Sequence, residues 1–179
     1  GLCSLNPHVD RLCMVCDLKL SRAGRVMSYE FYPSVMHSQA RLTYTQVGQY
    51  FEGKTDAIPV DKSIQKSLNT LFQLYQTLKE LRAKRHAMEF ETVETYMTFD
   101  ELGGIKEILP RTRNEAHKLI EECMLLANVA AAEYALEHDI PMLYRVHEAP
   151  EFSRIQKVKD FVKLLGLPFP DQPTQADYQ

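Results

Sequence analysis

Residues 117–134, HKLIEECMLLANVAAAEY, form a strongly apolar run that nevertheless carries Glu121 and, seven residues later, Asn128. A carboxylate there can accept hydrogen bonds from a polar ligand or carry a proton. Two other groupings have residue types suited to chemistry. Cys13 and Cys16 form C-x-x-C, a spacing used for zinc and for redox work. Lys79, Arg82, Lys84 and Arg85 cluster, with Arg111 and Arg113 further on, and such cations can hold phosphates or simply end a helix in water.

The elements that must position these residues follow from periodicity. RLCMVCDLKL and RVMSYEFYPSV flank SRAG, which predicts a β-hairpin. ARLTYTQVGQYFEG reads as a short helix ending near Gly53. Pro59 and Asp61 introduce an amphipathic helix with Ile64, Leu68, Leu71, Phe72, Tyr75, Leu78 and Leu81 at helical spacing, ending near Arg82 to His86. MEFETVETYMTF, the turn DELGG and IKEILP predict a second hairpin. A long helix follows from about Asn114 to His138, then IPMLYRVH as a short extended segment. EFSRIQKVKDFVKLLG is a final helix closed by Gly166. The sum is an α+β chain: two hairpins, three substantial helices and no internal repeat.

On a wheel of the long helix, Ile120, Cys123, Met124, Ala127, Ala131 and Tyr134 share one face, expected to be core. Glu115, Lys118, Glu122 and Glu133 lie opposite and are expected in water. Asn114, His117, Glu121 and Asn128 form a third stripe, roughly 60–120° from the core centre by that geometry. Buried there unpaired, each polar group would cost on the order of 1–3 kcal/mol. Pattern alone favours Asn128 bonding a neighbouring backbone and Glu121 meeting a Lys or Arg. The sharper alternative is a groove that holds a polar ligand.

Composition bounds the class. The 179 residues allow one medium domain with its own core. A net charge of −3 does not advertise nucleic-acid binding. No apolar run approaches the roughly 20 residues of a membrane helix. No basic segment followed by an apolar one marks a signal peptide. Cys13 and Cys16 lie three apart on a predicted strand, so they face opposite sides, and no second C-x-x-C completes a zinc site. The four cysteines are therefore expected as buried, reduced thiols in a cytoplasmic setting.

Four motifs in order, LCSLNPHVDRLCMV, ARLTYTQV, RNEAHKLIEECMLLANVAAAEY and LYRVHEAP, resemble the catalytic (RNB) domain of the ribonuclease II / ribonuclease R exoribonucleases, most nearly its bacterial ribonuclease R branch. The resemblance covers nearly the whole chain. It implies a partial RNB catalytic domain over 1–167 and a polar, linker-like tail over 168–179. It also implies 3′-to-5′ degradation of single-stranded RNA to nucleoside 5′-monophosphates with magnesium. The RNA-binding positions it implies are Tyr44 near the ribose of the terminal nucleotides, Glu121 on the ribose as a determinant of RNA over DNA, and Phe90 stacked on the terminal base. Asn128, Arg145 and His147 lie in the same motifs. A carboxylate suits a 2′-hydroxyl, and an aromatic face suits any base.

In that family the magnesium-binding aspartates precede LCSLNP, so this chain reads as an internal fragment without metal ligands, inactive alone. The downstream serine-proline-isoleucine-arginine motif is also missing. Asp10 and Asp17 are isolated, and Asp56, Asp61, Asp100 and Asp139 read as turn or cap residues. Two-metal chemistry needs several converging carboxylates. Core faces left uncovered by excision would favour self-association, which sedimentation would register. The alternatives are a non-catalytic RNA-binding or protein-interaction module on the same scaffold, or a small-molecule enzyme using Glu121 and His147 as acid and base.

Overall fold

A computed structural model describes residues 3–58, 61–87, 94–146 and 148–178. Strands β1 (Asp10–Leu20) and β2 (Val26–His37) pair antiparallel, with Cys13 opposite Ser34, Cys16 opposite Phe31 and a register shift at Lys19/Leu20. Their turn closes through the Gly24 amide donating to the Ser21 carbonyl at 2.9 Å. Gly24 has φ +76°, and a Cβ there would sit 2.7 Å from Leu81 Cδ1, so the hairpin tip can approach the helix below it only as glycine.

Helix α1 (Tyr44–Phe51) starts in a capping box: Thr43 Oγ1 accepts from the Gln46 amide, and the Gln46 side chain accepts from the Thr43 amide. Helix α2 (Lys62–Lys84) starts at Asp61, whose carboxylate accepts from the amides of Ser63 and Ile64. Those bonds, Ile64 first, hold the Asp61 carboxyl below its ordinary pKa. The second hairpin is β3 (Glu94–Phe99) with β4 (Ile105–Arg111). Helices α3 (Glu115–Glu137) and α4 (Phe152–Leu164) follow. The α+β class and the expected element order hold. Two readings change: IPMLYRV has no regular secondary structure, and Cys3 is exposed while the other three thiols are half-buried and all four are free. Burial first, then a neighbouring carboxylate, raises the thiols of Cys16 and Cys123, which disfavours the thiolate. In the tail, Lys159 pairs with Asp171, and the Phe169 and Tyr178 rings meet edge-on at 5.6 Å.

The core lies where α1 and α2 pack on α3. It holds Ile58, Tyr75, Leu78, Ala116, Leu119, Ala130 and Ala135. Tyr29 and Phe31 of β2 close its far end against α3: Phe31 meets the Tyr134 ring at 5.4 Å, and the Tyr29 hydroxyl donates to Glu137 at 2.8 Å.

The expected orientation of α3 holds only in part: Cys123, Ala127, Ala131 and Tyr134 are half-buried and Glu133 is exposed, but the helix is rotated from the expected facing. Its buried side carries Ala116, Leu119 and Glu122, whereas Ile120 and Met124, assigned to the core, are exposed. Glu122, assigned to water, is 5% exposed. The reason is Arg82 on α2. Its Nη1 donates to Glu122 Oε1 at 2.9 Å and to Glu121 Oε1 at 3.1 Å. Residues 75, 78 and 82 share one face of α2, so Arg82 extends the buried face of Tyr75 and Leu78 and meets α3 as a cation. These bonds, the one to Glu122 first, raise the guanidinium pKa and keep it charged.

Truncating Arg82 should strand the Glu122 carboxylate. Arg82→Ala is expected to cost about 3–5 kcal/mol in urea unfolding. Arg82→Met with Glu122→Leu, which replaces the pair by apolar groups, should recover most of that loss. A cost below about 1 kcal/mol for Arg82→Ala would mean that the pair behaves as a surface contact.

Candidate nucleic-acid interface

The first two members of the third stripe of α3, Asn114 and His117, meet the start of α1. Asn114 makes that junction. Its Oδ1 caps α3 by accepting from the amides of Ala116 and His117, and its Nδ2 donates to the Tyr44 carbonyl at 2.8 Å. His117 Nδ1 accepts in return from the Asn114 amide. Gly48, on the next turn of α1, leaves the room: a Cβ there would lie 2.3 Å from Asn114 Nδ2. A cap of this kind contributes about 1 kcal/mol to the helix, and here it also fixes where α1 begins.

With the two helices tied there, the Tyr44 ring stacks on the His117 imidazole, centroids 4.0 Å apart and planes 18° from parallel. His117 and Glu121 are four residues apart on α3, so they are neighbours on one surface. Tyr44, His117 and Glu121 therefore make a continuous strip: an aromatic ring, an imidazole and a carboxylate. Beside it, Leu42, Tyr44, Val47, Leu71, Leu119 and Ile120 border an open apolar recess of about 400 Å³.

Glu121 is held on both oxygens. Oε1 accepts from Arg82, and Oε2 accepts from Arg113 in the loop before α3. The two arginines face two carboxylates, Glu121 and Glu122, so the group is formally neutral. The contacts are not equivalent. Arg82 is the partner of a buried acid. Arg113 and Glu121 are each 35% exposed, and such a pair is worth at most about 1 kcal/mol. Lys79 pairs with Glu115 at 3.6 Å. Of the basic cluster at the end of α2, Lys79 and Arg82 thus bind α3, whereas Lys84 and Arg85 are exposed.

Of the six candidate positions, Tyr44 stacks on His117, and Glu121 lies four residues further along the same helix. Asn128 is exposed two turns along α3 and makes no hydrogen bond among the described residues, contrary to the backbone contact expected of it. Arg145 is exposed in the irregular segment after α3. Phe90 and His147 lie outside the described residues. Sequence reasoning missed the stack on His117 and the double clamp on Glu121. The spacing of Arg82 from Tyr75 and Leu78 was the available signal for the clamp. No three His, Cys, Asp or Glu side chains group as metal ligands among the described residues, so the residues described do not fit a two-metal centre. No helix among them is long and apolar enough to cross a membrane.

Comparison with known proteins gives this strip a family context. The profile of the RNB domain matches residues 1–179. Ribonuclease R of Vibrio parahaemolyticus is 46% identical over 180 residues, which is 99% of this chain and 22% of that protein. The chain thus spans about a fifth of the length of this relative. Ribonuclease R of Mycoplasma genitalium, solved in complex with ribose-methylated single-stranded RNA, superposes with a TM-score of 0.88 at 28% identity, over 99% of this chain and 28% of that one. The same enzyme in complex with double-stranded RNA gives a TM-score of 0.89 at 27% identity, over 99% of this chain and 32% of that one. Along its whole length, the chain belongs to the RNB domain family.

Proposed function

We propose that this chain is part of the RNA channel of a 3′-to-5′ exoribonuclease that hydrolyses single-stranded RNA to nucleoside 5′-monophosphates in the cytoplasm. The observation that carries the reading is the strip of Tyr44, His117 and Glu121, because two of its three members are positions that the family resemblance assigns to the ribose. Relatives and structural neighbours named ribonuclease R support the class.

On this reading the terminal nucleotides run along the strip. Tyr44, 45% exposed, offers a ring face and edge to the sugar. Glu121 accepts the 2′-hydroxyl, the group that separates RNA from DNA. Phe90 stacks on the terminal base, a contact tolerant of sequence. Asn128, Arg145 and His147 are RNA-binding candidates by their place in the family motifs, with no particular contact assigned to them. Magnesium belongs to the parent enzyme. Its ligands are assigned to residues outside this chain, so the phosphodiester step is assigned there too.

Two outcomes follow. The isolated chain, incubated with 5′-labelled single-stranded RNA and magnesium, should leave the RNA intact on a denaturing gel. A ladder shortening from the 3′ end would place a working metal site within these residues. In the full-length parent, Glu121→Ala should lose discrimination against deoxyribose at the 3′ end of the strand, read as the ratio of cleavage rates on matched substrates. An unchanged ratio would remove Glu121 from the ribose contact.

A further inference from the structure

The clamp on Glu121 contains one arginine that the fold needs and one that it does not. Arg82 is fixed by the buried Glu122. Among the described residues the side chain of Arg113 hydrogen-bonds to Glu121 alone, through Nη2 to Oε2, and Glu121 has Arg82 on its other oxygen. A guanidinium carries five N–H donors in a planar fork. Those on Nε and Nη1 of Arg113 find no acceptor among the described residues, and the side chain is 35% exposed. A partly exposed cation held to a carboxylate through one nitrogen, with N–H donors to spare, is matched to a planar or tetrahedral oxyanion.

The chemistry of the RNA strand names that oxyanion. On every ribose but the last, the 2′-hydroxyl and the 3′-phosphate sit on adjacent carbons, so the ribose at Glu121 is one that precedes the terminal nucleotide. A carboxylate that accepts the 2′-hydroxyl therefore brings the neighbouring phosphate beside whatever flanks it. Glu121 alone would repel that phosphate. With Arg113 on Oε2 the repulsion is neutralised and the free edge of the fork lies beside it. We propose that Arg113 is a phosphate-binding residue. It holds the RNA phosphate adjoining the ribose at Glu121, bridging that phosphate to the Glu121 carboxylate. Arg82 is then the positioning residue that keeps the carboxylate in place when Arg113 engages the strand. The proposal rests on the reading of Glu121 as a ribose contact, and it adds a sequence-independent anchor that nothing in the resemblance supplies.

The test is binding of the 179-residue chain to a fluorescent single-stranded RNA and to the matched DNA, by anisotropy over a series of salt concentrations. Each phosphate neutralised on a single strand contributes about 0.7 to the slope of log K against log salt. Arg113→Ala is expected to lower that slope by about 0.7, to weaken RNA and DNA alike, and to leave the thermal midpoint near that of the unaltered chain. Arg113→Lys should restore most of the slope, since it keeps the charge, but not the full affinity, since it loses the fork. Glu121→Ala should instead collapse the RNA-to-DNA ratio. An unchanged slope in a folded Arg113→Ala chain would overturn the phosphate assignment while leaving the ribose reading intact. A lowered slope with an unchanged ratio in Glu121→Ala would overturn the bridge to the ribose contact. A chain that binds no RNA at all would overturn both readings.

Discussion

One guanidinium lies between two adjacent carboxylates, and the packing of this chain depends on it. Arg82 enters from α2 on the face that buries Tyr75 and Leu78, and it meets Glu121 and Glu122 at once. The contact decides which side of α3 turns inward. With Glu122 inside, Ala116 and Leu119 follow it, and Ile120 and Met124 rotate out. An apolar helix is thus oriented by its charges. Burying a charge is costly, but breaking the pair once buried is costlier, so the arrangement specifies one rotation of α3 against α2 more sharply than apolar contact would.

The orientation has a consequence one step along the stripe. His117 and Glu121 lie four residues apart on one flank of α3, and Asn114 ties that end of the helix to the carbonyl of Tyr44. The Tyr44 ring then lies flat on His117, and the Glu121 carboxylate is held between two cations. Each member of the strip comes from a different constraint: a cap, a stack and an ion pair. Of the groups that fix them, only Arg113 stands in a loop. A site built on helix ends and helix faces keeps its geometry when a ligand arrives, which is what selective recognition of a single hydroxyl group requires.

Much of this was legible in the residues. Hairpins, helix limits and caps follow from local chemistry, and Asp61, Asn114 and Gly166 all stand where the chain pattern put them. The facing of α3 did not follow. A wheel ranks side chains by their liking for water and cannot see a guanidinium on another helix 40 residues away in the chain. Glu122 was therefore sent to solvent, and two apolar residues were sent to a core that lies elsewhere. For Glu121 the two readings weighed on pattern turn out to be compatible. It does meet arginines, and it also sits on an accessible flank, because Arg113 and Glu121 are both half-exposed. The RNA-binding part proposed for it rests on family resemblance rather than on spacing.

The central claim is that RNA lies along Tyr44, His117 and Glu121. The most direct measurement is a titration of the isotopically labelled chain with a short single-stranded RNA, followed by NMR of the ring signals of Tyr44 and His117 and the side-chain N–H signals of the arginines. The account predicts saturable shifts at Tyr44, His117 and Arg113, with Arg82 little moved behind them. Shifts confined to β3 and β4 or to α4, with the strip silent, would contradict it.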